Sequence, residues 1–536
     1  FHIYLMRCLL INPYCPISEG PTPPLGIAFL AAVLERAGFE TLILDFSVYP
    51  YSTSYLKNEI NRFDPAMIGV TAVTMTFNDA IAIIADAKRI NEDLLTVMGG
   101  PHVTFCAEET LQSHPYLDLI VLGEGEETIV EIAEALSNNR DWQSIKGLVF
   151  RDKGEIVFTE KRALLDVNKL PLPARHLLPL ERYRALHTPI SMTTSRGCPF
   201  KCIFCVGRQM VGAKVRYRDP NTVVDELEFL SLLDFPQINI ADDLFTANHE
   251  HCTKICNEII RRQLRIQWSS FARVDTINPS LLSLMKRAGC KTISFGVETA
   301  NPQILKTIKK GITTEKAEAA VRMCRQAGIQ AHFSFILGLP GETPETLAET
   351  QKFGKRLQEL GGLYGFHLLA PFPGTAVRDQ NEKYDLAVLT DDWSQYHANR
   401  AIVETSSVSK DMLDAVADKW DQDTRAHLAD IKKKIEEGTA TDEEAWQLVN
   451  LDRFLFIYAL MMDQVLENRG MWQLENAESS REQLIHLFAQ RIHSQMGQSL
   501  EKTRDILDYA MKRECISYII NNNEICWRWN EMFRAN

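Results

Sequence analysis

The strongest constraint on the fold is a regular alternation of short apolar runs with amphipathic helical stretches. From Arg7 to about Asn139 we identify five such units, with strand candidates at Cys8–Ile11, Thr41–Phe46, Met67–Val73, Leu95–Met98 and Leu117–Leu122. Strands that alternate with helices usually pair in parallel, because each helix carries the chain back across the sheet before the next strand. The sequence therefore predicts an α/β fold whose residues 1–140 form a doubly wound, Rossmann-like sheet.

A second block with the same alternation runs from Pro189 to about Thr375. Its six strand candidates are Ile190–Ser195, Gln237–Ala241, Ile266–Phe271, Thr292–Val297, Ala331–Leu337 and Tyr364–Leu369. Polar or glycine-rich residues follow each of them directly, and parallel β/α barrels place their sites at that carboxyl face. We therefore expect a partial (β/α)6 barrel over 189–395. Residues 141–188 are predicted to be a linker that contains a hairpin at Gly147–Val157 and a stiff, extended proline-rich segment.

The remaining residues, 396–536, carry no motif, and their pattern is helical from Ser409 to the end. This predicts a mostly α-helical domain, which we expect to act as a substrate-related cap. Leu451–Val465 is strongly apolar and must be buried, more readily as domain core than as a cavity wall. Trp527 and Trp529 are expected to pack rather than to recognise a ligand.

Composition limits the class of protein. A chain of 536 residues predicts about three domains, and a net charge of −12 argues against binding to nucleic acid or to anionic membranes. The longest apolar runs are about half a membrane span, and there is no signal-peptide pattern. Twelve cysteines without a disulfide-like spacing favour a reducing compartment, so we expect a cytoplasmic protein.

A run of three cysteines, Cys198, Cys202 and Cys205, follows the first strand of the second block. Soft thiolates in this number favour an iron–sulfur cluster, whereas structural zinc wants four ligands, usually in two separated pairs. The spacing would also fit one helical face, and hence core cysteines. However, Gly197 and Pro199 flank the first cysteine and favour a strand-to-loop exit. We predict a cluster here.

At these residues the chain resembles the radical S-adenosylmethionine (SAM) enzymes. The resemblance implies that the three cysteines hold a [4Fe–4S] cluster with one iron open to SAM, and that Phe204 lies near the adenine. Glu298 matches the Gly-x-Glu element that holds the SAM amino group or ribose. Arg273 is a candidate for the methionyl carboxylate and Asp243 for a ribose or substrate hydroxyl. For these last two, helix capping or mutual pairing is an equal alternative.

The strand-end loops of the first block are rich in glycine, which lets backbone approach a ligand closely. An NAD site is disfavoured, because the Gly-x-Gly follows the fifth strand and is surrounded by carboxylates. The loops resemble the cobalamin-binding domain fused to many radical SAM enzymes. The resemblance implies cobalamin contacts from Leu25, Gly26, Thr71, Thr74, Gly99, Gly100, His102, Gly123, Glu124, Gly125 and Glu126.

The mode of cobalamin binding is only partly predicted. The D-x-H-x-x-G signature of the cobalamin mutases is absent, so no protein histidine is expected to replace the cobalamin tail on cobalt. His102 is near enough in sequence to approach the corrin, although a lone loop histidine more often makes a hydrogen bond. A flavodoxin-like fold with another ligand, or with none, remains the alternative for this domain.

The resemblance implies a reaction that neither cofactor performs alone. The reduced cluster cleaves SAM to a 5′-deoxyadenosyl radical, which abstracts hydrogen from an unactivated carbon, and methylcobalamin delivers a methyl group. The sequence shows no nucleophile–histidine pair or carboxylate dyad, so no catalytic side chain is assigned. We expect a flavodoxin or ferredoxin as electron donor. The substrate stays open between a small molecule, a lipid, a tetrapyrrole and a peptide.

Three other functions are alternatives to methyl transfer. A cyclisation, oxidation or rearrangement without methyl transfer, as in anaerobic tetrapyrrole ring formation, uses the same cofactors. A methylthiotransferase is disfavoured, because extra cluster cysteines and a C-terminal RNA-binding β-domain are missing from the pattern. A non-catalytic cobalamin sensor leaves the three cysteines unexplained.

Two smaller clusters predict packing rather than function. Cys252 and Cys256 lie at i and i+4 of a helix beside His251, with no fourth ligand evident, and so predict buried small side chains. Arg216 and Arg218 are expected to be solvated or paired with Glu226.

Overall fold

The computed structural model describes residues 6–15, 20–138, 140–475 and 479–531. A seven-stranded sheet of order β2-β1-β3-β4-β5-β6-β7 forms the first domain within this part of the chain. Its strands are β1 (Arg7–Asn12), β2 (Glu40–Asp45), β3 (Met67–Thr71), β4 (Leu95–Gly99), β5 (Leu119–Val121), β6 (Leu148–Asp152) and β7 (Glu155–Phe158). Its helices are α1 (Leu25–Arg36), α2 (Thr53–Phe63), α3 (Phe77–Ile90), α4 (Pro101–Phe105), α5 (Ala107–Ser113) and α6 (Glu126–Ser137).

All five strands predicted for this domain form, and β1 to β5 run parallel. Their sequences are apolar without alternation because helices cover both faces of the sheet, and β1 is buried from Cys8 to Ile11. The predicted hairpin also forms, as β6 and β7. It pairs antiparallel with β5 and so extends the first sheet, since the exposed edge of β5 offers unpaired backbone groups.

The second sheet has six parallel strands in the order β15-β14-β13-β12-β11-β8. These are β8 (Ile190–Met192), β11 (Ile238–Ile240), β12 (Trp268–Ala272), β13 (Cys290–Glu298), β14 (Gln330–Leu337) and β15 (Leu363–Leu368). All six were predicted. A short antiparallel pair, β9 (Ser195–Arg196) and β10 (Arg216–Tyr217), brackets the cysteine run. The helices are α7 (Leu180–Leu186), α8 (Gly207–Val211), α9 (Pro220–Ser231), α10 (His249–Arg261), α11 (Pro279–Arg287), α12 (Pro302–Thr307), α13 (Thr314–Ala327), α14 (Pro344–Glu359) and α15 (Ala376–Asp379).

The two faces of this second sheet differ in polarity. In β13 the side chains of Ile293, Phe295 and Val297 are buried under the surrounding helices, whereas Ser294 and Gly296 between them are half-buried on the opposite face. The apolar face holds the helices in place. The opposite face is left with small and polar side chains, which is where a ligand can be accommodated.

The last part of the chain starts with a short strand pair and continues with helices. Its elements are β16 (Ala387–Val388), β17 (Val403–Glu404), α16 (Lys410–Glu436), α17 (Asp442–Met462), α18 (Val465–Arg469), β18 (Met471–Gln473), α19 (Arg481–Ile492), α20 (Leu500–Lys512), β19 (Ile516–Asn521) and β20 (Glu524–Trp529). The helical pattern that we predicted to the end of the chain stops at α20. After it, β19 and β20 form a hairpin, because Asn522 and Asn523 both adopt positive φ in a tight turn, and β18, which precedes α19, pairs with β20 to complete a three-stranded antiparallel sheet.

Two hydrophobic cores join the three parts of the chain. One lies between the first sheet and the second, and the other packs the opposite face of the first sheet against the C-terminal helices. The prediction that Leu451–Val465 is buried is confirmed in part: Phe456, Ile457, Leu460 and Met461 lie in the second of these cores, whereas Leu451 and Leu455 are exposed. Trp527 and Trp529 are buried there too. Within the described ranges, no helix is long and apolar enough to cross a bilayer.

Candidate functional site

The cysteine loop is held at both ends by backbone contacts. Gly197 has φ +122°, and a Cβ at this position would lie 2.6 Å from the carbonyl oxygen of Lys214, so only glycine fits. The Cys198 amide donates to the Gly212 carbonyl at 3.1 Å, and the Gly207 amide donates to the Cys205 sulfur at 3.3 Å. The loop is therefore shaped by its own backbone.

The three thiols suit a cluster better than a single ion. All three are free, and they are half-buried or exposed rather than packed into a core. No group of three His, Cys, Asp or Glu side chains in the described ranges converges on one ion-sized point. Each sulfur of a cluster binds a different iron atom, so the three need not converge. Burial raises the pKa of the Cys202 thiol, and the nearby charge of Lys310 opposes that rise.

Glu298 lies at a β-bulge at the end of β13, with φ +71°. A glutamate in this backbone conformation is strained, and such strain is concentrated at functional sites. Its Oε1 accepts from Lys310 Nζ at 2.5 Å, and both side chains are about nine-tenths buried. Lys310 in turn lies 5.8 Å from the ring of Phe204. A cavity of about 330 Å³ opens beside this pair, with Phe204 and Glu298 in its wall.

Arg273 contacts the segment that carries Lys310, and its guanidinium is already engaged. It pairs with Asp275 at 3.0 Å, donates to the Lys310 carbonyl at 2.7 Å and covers the ring of Phe200 at 3.8 Å. The pairing lowers the pKa of Asp275. Arg273 thus fastens the segment that carries Lys310 to the loop that carries the cysteines.

The two aspartates that follow β11 differ in burial and in their partners. Asp242, which the sequence did not single out, is fully buried and accepts from the amides and hydroxyls of Thr194 and Ser195. It therefore fixes the strand end that leads into the cysteine loop. Asp243 is exposed, accepts weakly from the Gly197 amide at 3.4 Å, and points toward the space between the two sheets.

That space is a cavity of about 380 Å³ between the carboxyl ends of the two parallel sheets. Eight of the predicted cobalamin contacts lie in its wall: Gly26, Thr71, Gly99, Gly100, Gly123, Glu124, Gly125 and Glu126. The opposite wall comes from the second domain and includes Ser195, Arg196 and Asp243. Gly100 has φ +109°, and a Cβ there would lie 2.5 Å from the Ala72 carbonyl, so backbone alone forms this part of the wall.

Three residues assigned to cobalamin are placed elsewhere. His102 is 1% exposed and lies between the rings of Phe77 and Trp393, at 4.2 Å and 4.8 Å, outside the cavity wall. Burial lowers its pKa to about 4, so it is neutral. Thr74 is buried in a 3₁₀ turn, and Leu25 is absent from the wall although its neighbour Gly26 is present. Sequence position near a strand end did not determine side-chain direction.

Carboxylates and guanidinium groups bridge the two domains at the rim of this cavity. Glu124 accepts from both terminal nitrogens of Arg216, at 2.8 and 2.9 Å, and from Arg196 at 3.2 Å. Glu126 pairs with Arg196 at 2.7 Å. We call these four residues the interdomain clamp. The sequence predicts that Arg216 and Arg218 are solvated or paired with Glu226; of these two arginines Arg218 pairs with Glu226, at 2.7 Å, and Arg216 does not.

The predicted packing cluster on α10 behaves as expected. His251, Cys252 and Cys256 are buried, and the contact with the Cys256 sulfur, together with desolvation, holds the pKa of the Cys252 thiol well above its usual range. The residues that the sequence reasoning missed are Arg196, Lys310 and Asp242. Two of them could have been found because they lie next to a predicted site residue: Arg196 precedes Gly197-Cys198, and Asp242 precedes Asp243.

Two family models match the chain. The B12 binding domain model matches residues 17–133, and the Radical SAM superfamily model matches residues 192–354. An uncharacterized methyltransferase of Pyrococcus horikoshii is 36% identical over 400 residues, which cover 73% of this chain and 86% of that protein. An anaerobic magnesium-protoporphyrin IX monomethyl ester cyclase of Rubrivivax gelatinosus is 31% identical over 367 residues, covering 65% of this chain and 66% of that protein.

Among solved structures, the radical S-adenosylmethionine methyltransferase TsrM of Kitasatospora setae, with cobalamin and a [4Fe–4S] cluster bound, has the same fold. The TM-score is 0.65 at 20% identity, and the match covers 95% of this chain and 99% of that one. The fold and the cysteine loop define a radical SAM enzyme. More specifically, the chain belongs to the cobalamin-binding radical SAM family, and it is a methyltransferase. The predicted family, cofactors and class of enzyme are confirmed.

Proposed function

We propose that this enzyme methylates an unactivated carbon of a small-molecule substrate held between its two parallel sheets. The observation that carries the proposal is the cavity of about 380 Å³, which has the glycine-rich loops on one side and the strand that leads to the cysteine loop on the other. When two cofactor sites open onto one space, a single bound substrate is within reach of both. Holding reacting groups together in this way supplies a large part of a rate enhancement.

The residues fit the cofactors as follows in this proposal. The three cysteines hold the [4Fe–4S] cluster, and the backbone of the glycine loops holds cobalamin. When bound, the cluster supplies an electron for the cleavage of SAM, and cobalamin carries the methyl group. The partial (β/α)6 barrel of 189–395 would contain SAM, and the C-terminal helices of 396–536 would restrict access to the substrate. Residues 1–140, extended by the hairpin β6–β7, would form the cobalamin domain, and the rest of 141–188 the linker.

The Glu298–Lys310 pair supports the placement of SAM. The methionyl end of SAM carries an ammonium and a carboxylate, and this pair presents one group of each opposite charge in a buried position. Phe204 offers an aromatic face beside Lys310 for the adenine. Arg273, our earlier candidate for the methionyl carboxylate, would then act by fixing the Lys310 segment. Asp243 is left facing the cavity as a partner for a ribose or substrate hydroxyl.

The chain itself performs no proton transfer in this proposal. Its residues bind, orient and exclude water, and the clamp closes the rim of the cavity on the side of the cysteine loop. A protein that uses free thiols and an iron–sulfur cluster suits a reducing compartment, and we propose that it acts in the cytoplasm.

A second candidate is cyclisation or oxidation of a tetrapyrrole without methyl transfer. The observation in its favour is the 31% identity to a cyclase over 65% of the chain. The two candidates share every cofactor, so the cysteine loop and the glycine loops do not separate them. They differ in the fate of the methyl group.

The experiment is an anaerobic incubation of the cofactor-loaded protein with methyl-labelled SAM, a reductant and a small-molecule extract. Label that appears in a new product together with 5′-deoxyadenosine supports methyl transfer. A new unlabelled product with 5′-deoxyadenosine supports the cyclase-like candidate. The control replaces Cys198, Cys202 and Cys205 by Ala, which should abolish both the cluster absorbance and 5′-deoxyadenosine. A wild-type protein that forms no 5′-deoxyadenosine would refute both candidates.

A further inference from the structure

The predicted linker contacts the helix that opens the cobalamin domain's side of the cavity. The Ala174 amide donates to the carbonyl of Ala28 in α1 at 2.9 Å, and Ala174 itself is buried. Helix α1 starts at Leu25, and its first turn places Gly26 and Ile27 in the wall of the cavity of about 380 Å³. The linker is therefore attached to the helix turn that faces the predicted cobalamin site.

The next residue of the linker, Arg175, reaches the second domain. Its guanidinium donates to the Ser191 carbonyl in β8 at 2.8 Å and forms an ion pair with Glu226 on α9 at 2.7 Å. Glu226 is fully buried and also pairs with Arg218, at 2.7 Å. We call Arg175, Glu226 and Arg218 the buried triad. Moving one member away would leave a buried charge unpaired, so the triad resists displacement of the linker relative to the barrel.

Both arginines of the buried triad hold the backbone that leads into the cysteine loop. Arg218 donates through its guanidinium to the Thr193 carbonyl at 2.6 Å and through its amide to the Thr194 carbonyl at 2.9 Å. Arg175 holds the Ser191 carbonyl earlier in the same segment. One continuous set of contacts therefore runs from the first turn of α1, through the linker, to the strand end before the three cysteines.

We propose that Arg175 is a positioning residue that couples the two cofactor sites, so that cobalamin binding tightens the binding of SAM. The inference rests on the proposed placement of cobalamin at the glycine loops and of SAM beside the cysteine loop. When cobalamin fills the cavity, the first turn of α1 is fixed, and the Ala28–Ala174 bond and the buried triad then fix residues 191–194. A loop that is already ordered loses less conformational freedom when it binds SAM. SAM would then be bound, and cleaved, mainly when the methyl carrier is present.

The test measures the affinity for SAM of the cluster-loaded protein with and without hydroxocobalamin. Isothermal titration calorimetry is run anaerobically and without a reductant, so that SAM is not consumed. In the wild type, cobalamin should lower the Kd of SAM at least about fivefold, the lower end of typical coupling between two sites. In Arg175→Met, which leaves Glu226 paired with Arg218, the two Kd values should agree within about twofold. A variant that only weakened the fold would raise both Kd values and keep their ratio.

The matched control is Arg162→Met, in the same linker. Arg162 is also largely buried, but among the described residues it pairs with Glu127 and Glu131 of α6 and so holds the linker to the cobalamin domain. This variant should keep the wild-type ratio of Kd values. Should Arg175→Met fail to fold, Ala174→Pro tests the other end of the connection, because it removes the amide that donates to Ala28 at a φ of −73°, which suits proline. Ala174→Pro must then lose the ratio, or the proposal falls.

The possible outcomes separate this proposal from the placement of the cofactors. Equal Kd values in the wild type would show that the two sites are independent, which refutes the coupling. An unchanged ratio in Arg175→Met would assign the coupling to direct contact between the two domains, which refutes the role of Arg175. A wild-type protein that binds no SAM or no cobalamin would refute the proposed cofactor sites, and the coupling with them.

Discussion

The interdomain clamp gives the sharpest test of how the cysteine loop is positioned. The perturbation is Glu124→Gln, which keeps the shape of the side chain and removes its charge. Glu124 is 7% exposed, and its partners Arg196 and Arg216 are 15% and 14% exposed. Removing one member of a buried ion pair destabilises by about 3 to 5 kcal/mol, because the remaining charge is left unpaired. We take the lower end, since Arg196 retains Glu126.

A loss of about 3 kcal/mol corresponds to about a hundredfold change in a local opening equilibrium. Amide hydrogen exchange, followed by mass spectrometry on peptides that cover residues 196–216, reports this equilibrium directly. We expect these amides to exchange about a hundred times faster in Glu124→Gln. Iron should also be lost sooner to a chelator, because both ends of the cysteine loop are tied to the clamp through β9 and β10.

The matched control is Glu127→Gln. Glu127 lies on the same helix start, but its side chain is 52% exposed and its contact with Arg162 is 3.2 Å long. Exposed pairs contribute at most about 1 kcal/mol, so exchange should change less than about fivefold. If the two variants exchange alike over 196–216, the clamp does not hold the loop and the reasoning from burial is refuted.

Two further predictions concern the cavity and the pH dependence of stability. Gly26→Leu should lower cobalamin content at least about tenfold with an unchanged circular dichroism spectrum, because a Cβ at Gly26 meets nothing within 4 Å and projects from the cavity wall. The control is Ala37→Leu, at an exposed position at the other end of α1. If both variants bind the full amount of cobalamin, the corrin lies elsewhere. Burial raises the pKa of Glu342 to about 8 from 4.5, so the folded state keeps a proton that the unfolded state releases, and stability should fall as the pH rises from about 4.5 to 8. In Glu342→Gln the free energy of unfolding should therefore change less between about pH 4.5 and pH 8. If its slope against pH is unchanged, another group causes the pH dependence.

Much of the fold was accessible from the sequence because its signals are local. A buried parallel strand needs a short apolar run and a helix needs an amphipathic repeat, so both blocks could be outlined from Arg7 onward. The C-terminal sheet was not predicted, because the pattern of the surrounding residues is helical. The hairpin turn at Asn522-Asn523, where both residues adopt positive φ, was its one local signal. The order of the strands in each sheet was not predicted, because it depends on which strand edges pair in the folded chain.

The direction of each side chain within the site could not be predicted from local signals. His102 and Gly100 lie in the same strand-end loop, yet one is buried between aromatic rings outside the cavity and the other forms its wall. The backbone at positive φ around Gly100 turns the chain there, and packing against Trp393, far away in sequence, decides where the imidazole goes. No short window of sequence contains that information.

The sequence by itself favoured an iron–sulfur cluster, because three thiols lie in one short loop, whereas SAM and cobalamin were implied by the resemblance of the cysteine run and the strand-end loops to a known family. The tertiary structure alone decided how the two domains meet, through Glu124 on Arg196 and Arg216, and how Lys310 pairs with Glu298 inside the second domain. Such pairs join residues on different elements, and their strength depends on burial and on distance to a fraction of an ångström. Only the packed chain sets both.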